Sequence, residues 1–88
     1  DISLKLFPNP CIENTTLSYM LKTNSKVSVT LISADGKQTQ LIKDEDKDSG
    51  MNELSINTSQ LKKGLYVCRL ETNSGANKNL QTLKLIVQ

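Results

Sequence analysis

A chain of 88 residues with eleven basic and nine acidic side chains carries a formal charge of only +2, too balanced to favour nucleic acid or an anionic membrane as a partner. Histidine is absent, which removes the commonest general base and metal ligand; with no nucleophile set beside a base, this argues against hydrolase triads and against zinc or copper sites. A chain of this length buries somewhat more than ~60% of its unfolded surface, so the expectation is one domain, residues 1–88, with one thin core. No apolar run approaches about 18 residues, so nothing reads as a spanning segment or an N-terminal leader.

Ile2, Leu4 and Leu6 alternate with Ser3 and Lys5, the two-residue period of a half-buried strand. Pro8-Asn9-Pro10 ends that strand, because each proline fixes φ and lacks a backbone donor. Leu17, Tyr19 and Leu21 give a second strand, and Lys22 to Lys26 a polar turn into a third with Val27, Val29 and Leu31 inward. Within Ser33 to Lys37, the pair Asp35-Gly36 supplies the positive φ of a tight hairpin, making the third and fourth strands antiparallel neighbours. Thr39 and Leu41 carry the fourth strand, and the run from Lys43 to Gly50, with no apolar residue, reads as a solvated loop. Asn52, Leu54 and Ile56 share one face of the fifth strand; Ser59 then caps a single helical turn through Gln60 to Lys63, ended by Gly64. Tyr66, Cys68 and Leu70 are the inner face of the sixth strand, Thr72 to Asn79 is a hairpin loop, and Leu83, Leu85 and Val87 face inward on the last strand.

Seven short strands with turn signals every ~8 to 12 residues, and no βαβ spacing, predict an all-β fold: a seven-stranded antiparallel β-sandwich of immunoglobulin-like or Greek-key type. Antibody-type domains are excluded, since tryptophan is absent and a link from Cys11 to Cys68 would not reproduce their disulfide and tryptophan spacing. Cys68 reads as a packed apolar residue on an inner strand face. Cys11 follows the proline turn, and a disulfide between the two stays open. Asp44, Asp46 and Asp48 have the spacing that opens an EF-hand calcium loop, but glycine falls at Gly50 and position twelve is Ser55, so a solvated loop is the better reading. Asn14-Thr15-Thr16 and Asn57-Thr58-Ser59 match the N-glycosylation pattern, which arises by chance in Asn- and Thr-rich chains. Lys62, Lys63 and Lys84 read as solubility devices and edge guards. No cofactor and no enzymatic activity is expected.

Taken in order, the motifs resemble the type A C-terminal sorting domain of the type IX, or Por, secretion system. Leu6-Phe7-Pro8-Asn9-Pro10 is similar to the family's opening strand and Pro-Asn-Pro signature, and Val27 to Leu31 followed by Asp35-Gly36-Lys37 to its third strand and hairpin. Gly50 and Asn52, then Leu61, Gly64 and Tyr66, resemble its central run, and Lys84-Leu85-Ile86-Val87 its closing tail. The chain departs from the pattern at Ile32-Ser33, at Asn57 and at Gln88, where the family usually has Tyr-Asp, Asp and a basic residue.

The resemblance implies a non-catalytic tail of a larger secreted precursor from a gram-negative bacterium. It implies carriage through the periplasm, recognition by the outer-membrane translocon, removal by a sortase-like protease, and cargo that ends at the cell surface, often on anionic lipopolysaccharide, or outside the cell. The expected partners are the translocon, the protease and an upstream cargo domain, and the expected recognition surface is Lys84 to Gln88 with the facing strand Gly64 to Leu70. The rival reading, an immunoglobulin-like adhesion or carbohydrate-binding module, needs exposed aromatics for sugar stacking. The chain has Phe7, Tyr19 and Tyr66 alone, and both tyrosines fall on inward faces.

Overall fold

A computed structural model describes residues 3–88; Ile2, assigned above to the first strand, lies outside them. Seven strands form in chain order: β1 (Leu4–Phe7), β2 (Asn14–Leu21), β3 (Ser25–Ser33), β4 (Gln38–Lys47), β5 (Gly50–Asn57), β6 (Gly64–Asn73) and β7 (Lys78–Val87). They build a three-stranded sheet ordered β1-β2-β5 and a four-stranded sheet ordered β4-β3-β6-β7, every pair antiparallel. This is the immunoglobulin-like sandwich that the alternation predicts. In that scheme β1, β2 and β5 take the places of strands A, B and E, and β3, β6 and β7 those of C, F and G, while β4 pairs with C in the second sheet.

The core lies between the sheets, and the period of two fills it from both. Leu17, Tyr19 and Leu21 point in from β2, Val27, Val29 and Leu31 from β3, Cys68 and Leu70 from β6, and Leu85 and Val87 from β7, all buried. Each aliphatic side chain so buried contributes about 1.5–3 kcal/mol.

Four readings of the sequence need correction. The acidic run is not a loop: β4 continues through Lys47, and only Asp48-Ser49 separate it from β5. A strand at a sheet edge needs a partner on one side alone, and its charged side chains stay in water while the backbone pairs with β3, Lys26 facing Asp46 at 3.2 Å. The inward residue of β4 is the buried Ile42, with Leu41 partly buried against the core and Thr39 exposed. The alternation slips because the register shifts at Val29, and nearby Asp44 takes a positive φ of 45° with its amide donating to Ser28 Oγ at 2.9 Å. No helical turn forms from Gln60 to Lys63. Asn57 accepts the Ser59 amide at 2.9 Å and Leu61 N–H donates to Thr58 C=O at 3.0 Å, a single turn capped by asparagine. Finally, the last hairpin loop is shorter than Thr72–Asn79, because pairing persists to Asn73 with Lys78.

Candidate functional site

The long segment joining β1 to β2 folds onto the tail of the chain. Its Asn9 reads β7 with both ends of its amide: Nδ2 donates to Lys84 C=O at 2.8 Å, and Oδ1 accepts from Ile86 N–H at 3.1 Å. Two residues on, Cys11 N–H donates to Ile86 C=O at 2.9 Å and Gln88 N–H donates to Cys11 C=O at 2.8 Å, a short parallel bridge centred on Cys11 and Val87. The prolines on either side of Asn9, both in cis peptide bonds, donate nothing and leave this edge to asparagine and cysteine. The outer edge from Lys84 C=O to Gln88 N–H is therefore occupied, and the tail does not offer those backbone groups to a partner. What it offers are side chains: Lys84 is exposed and Ile86 is 44% exposed, across from Leu65 at 46%.

The neighbouring strand begins at Gly64, whose φ of +147° suits glycine, and reaches Tyr66 two residues later. Tyr66 is buried, and its hydroxyl donates to Lys62 C=O at 2.7 Å. A tyrosine near the start of strand F, bonded back to the backbone upstream and two residues before a core cysteine, is the tyrosine corner of immunoglobulin-like sandwiches. It pins the turn that carries Leu61, Lys62 and Lys63 above the core. Facing that turn, the β3–β4 hairpin closes through Ser33 N–H to Lys37 C=O at 2.9 Å and Gly36 N–H to Ser33 C=O at 2.9 Å, with Gly36 at φ +90°. The Ser33 hydroxyl donates to the Asp35 carboxylate. That bond first, then the Lys37 amide and more weakly the charge of Lys62, hold the Asp35 carboxyl below its ordinary range. Between hairpin and turn lies a groove of about 380 Å³, floored by Leu31, Leu61 and Tyr66 and rimmed by Lys37, Lys62 and Lys63.

Over residues 5–88 the sequence matches the family described as secretion system C-terminal sorting domain. The chain belongs to that family, the type IX C-terminal sorting domains. No curated protein matches it. A type IX sorting domain is a secretion signal that directs its protein to the cell surface or the extracellular space, through the machinery of that system. No helix of the described residues is long and apolar enough to cross a membrane.

Most of the residues singled out in this sorting domain meet at one end of the sandwich. Pro8, Asn9 and Pro10 lie against Lys84 to Val87. Gly64 pairs with Val87, and Tyr66 pairs with Leu85 on one side and Ser33 on the other. Asp35, Lys37 and Leu61 line the groove beside them, with Gly36 in the hairpin. Gly50 and Asn52 do not join this cluster. Gly50 pairs with Leu21, and the Asn52 amide donates to Asp48 C=O at 2.9 Å, closing the β4–β5 turn at the opposite end. Leu85 and Val87 are core residues, leaving Lys84 and Ile86 as the solvent-facing half of the tail.

Cys11 is the residue whose place the sequence did not signal: it is buried, free, and bonded through its backbone to the tail, with Sγ 3.5 Å from Thr58 Oγ1. Cys68 is also free, and burial pushes its thiol up to about 11. The disulfide left open above is not formed.

Proposed function

We propose that the 88 residues act as one sorting unit at the tail of a larger precursor, recognised by the outer-membrane translocon after passage through the periplasm and then removed by a sortase-like protease. The observation that carries this reading is the family match over residues 5–88. Two features of the structure support the expected surface, Lys84 to Gln88 with Gly64 to Leu70. Its strands pair along their whole length, and their outer faces at this end carry Leu65, Ile86 and Lys84 toward solvent. An exposed aliphatic pair beside a lysine suits a protein contact with an apolar centre and a charged rim.

Deleting Lys84 to Gln88 would remove the core residues Leu85 and Val87 and unfold the domain, so it cannot separate recognition from folding. Point variants can. With a reporter cargo fused before the domain, Lys84→Glu combined with Ile86→Ser is expected to leave the purified domain folded and to hold the cargo in the periplasm. Delivery at the normal level by that double variant would overturn the proposed surface.

A further inference from the structure

The groove between the β3–β4 hairpin and the β5–β6 turn lies on the other side of β6 from the tail, and its chemistry is separate from the tail's. Three properties meet there. The floor is apolar and firm, since Leu31 is core, Leu61 packs against the core, and Tyr66 is held by its bond to Lys62 C=O. The rim is cationic and free of ion pairs: Lys37, Lys62 and Lys63 are exposed, and no carboxylate of the described residues lies within ion-pair distance of them. Asp35, the acid on that rim, has its carboxylate engaged by the Ser33 hydroxyl and by the Lys37 amide at 3.4 Å.

The third property is a strand that loses a neighbour. Ile86 turns its N–H and C=O outward to Asn9 and Cys11, so its cross-strand partner Leu65 turns its own backbone groups the opposite way, toward β3. There β3 has ended: the last pair is Ser33 with Tyr66, and beyond it the chain closes the hairpin on itself. The Leu65 N–H therefore faces the groove past the last β3–β6 pair. It is a backbone donor at the mouth of an apolar, lysine-rimmed groove.

We propose that this groove binds an extended acidic segment of a partner protein. One carbonyl of the segment accepts from Leu65 N–H, continuing the β3 position along β6 by a short stretch of strand addition. An aliphatic side chain of the segment lies on Leu61 and Tyr66, and the acidic side chains before and after it reach Lys62, Lys63 and Lys37. Alternation of acidic and aliphatic residues matches both the two-residue period of a strand and the order of rim and floor. This inference stands apart from the tail surface and would survive its failure.

The test uses the isotope-labelled 88-residue chain and a short synthetic peptide alternating aspartate with leucine. The expected result is a saturable shift centred on the Leu65 amide, and binding weakened about tenfold in the variant Lys37→Gln with Lys62→Gln and Lys63→Gln, as expected for the loss of three exposed ion pairs. That variant is expected to melt as the parent does, because all three side chains are solvated, and Lys84→Glu is expected to leave peptide binding unchanged, which separates the groove from the tail. Equal binding of a peptide with lysine in place of aspartate would overturn the proposal. So would an unmoved Leu65 amide at saturating peptide, or full affinity in the triple variant. Inorganic phosphate or anionic-lipid vesicles that shift the same amides while the peptide does not would also overturn it, in favour of a phosphate site.

Discussion

Tyr66 does two jobs with one side chain. Its ring closes the core at the hairpin end, and its hydroxyl holds the turn that presents Leu61, Lys62 and Lys63. Tyr66→Phe keeps the ring and removes the bond, so the expected cost is about 1 kcal/mol, read as a fall in Tm of roughly 4–8 °C for a domain of this size. An unchanged Tm would show the corner to be ornamental. Cys68 sets a second residue-scale expectation. Its thiol is pushed from 9.0 to about 11 by burial, and Tyr19 is raised in the same direction by burial and then by the charge of Glu45. A group with a raised folded value contributes stability that is complete below its unfolded value and lost as pH rises through the folded one. The melting temperature should therefore fall between about pH 9 and about pH 11, and Cys68→Val should flatten that limb, leaving what Tyr19 contributes. A limb of the same steepness in Cys68→Val would remove Cys68 as its cause.

Among the elements, the segment Pro8 to Cys11 is the least conventional, because it is neither strand nor simple turn and yet supplies the outer neighbour of β7. Asn9→Ala removes two hydrogen bonds to the tail, for an expected loss of about 1–2 kcal/mol. Hydrogen exchange localises the effect: the Ile86 amide should lose protection while Leu85, which pairs with Tyr66 inside the sheet, keeps it. Equal protection of Ile86 in parent and variant would refute the clamp. This element also marks where the sequence stops being legible. The strands were readable because a period of two is local, and the Asp35-Gly36 hairpin because turn chemistry is local too. The clamp joins residues 75 and 77 apart in the chain, and nothing around Asn9 names its partner. The charged half of β4 is illegible in the sequence for a related reason. Composition reports the solvent-facing side chains, whereas the strand is held by backbone bonds to β3, and its slip depends on a contact between Asp44 and Ser28 that no local pattern announces. At the site, most of the residues named by the resemblance lie together, Gly50 and Asn52 excepted, but the resemblance does not distinguish Leu85 and Val87, which hold the fold, from Lys84 and Ile86, which meet the solvent.

At the scale of the molecule, the two sheets are joined differently along their two sides. Beside β1 and β7 the seam is stitched by Asn9 and Cys11, whereas beside β4 and β5 the sheets are joined by the tight Asp48-Ser49 connection, closed by the Asn52 bond to Asp48 C=O. A domain of this length is expected to hold about 4–13 kcal/mol of stability. Removing Val87 and Gln88 deletes one buried aliphatic side chain and the Gln88 to Cys11 bond, an expected loss of about 3–4 kcal/mol. Denaturant titration of the shortened chain should show that deficit, and a midpoint equal to the parent's would mean that the tail is dispensable for folding. The geometry also separates the two events proposed above, recognition and cleavage. The sandwich measures 37 × 23 × 19 Å, and a ten-residue strand spans about 34 Å, so its long axis runs with the strands. β1 enters at the end where Leu4 lies across from Tyr19 and Ser3 C=O accepts from Met20 N–H, and the tail finishes at the other. A receptor holding Lys84 and Ile86 would thus sit toward the end opposite Ser3, so that a peptidase acting upstream could cut without first dislodging it.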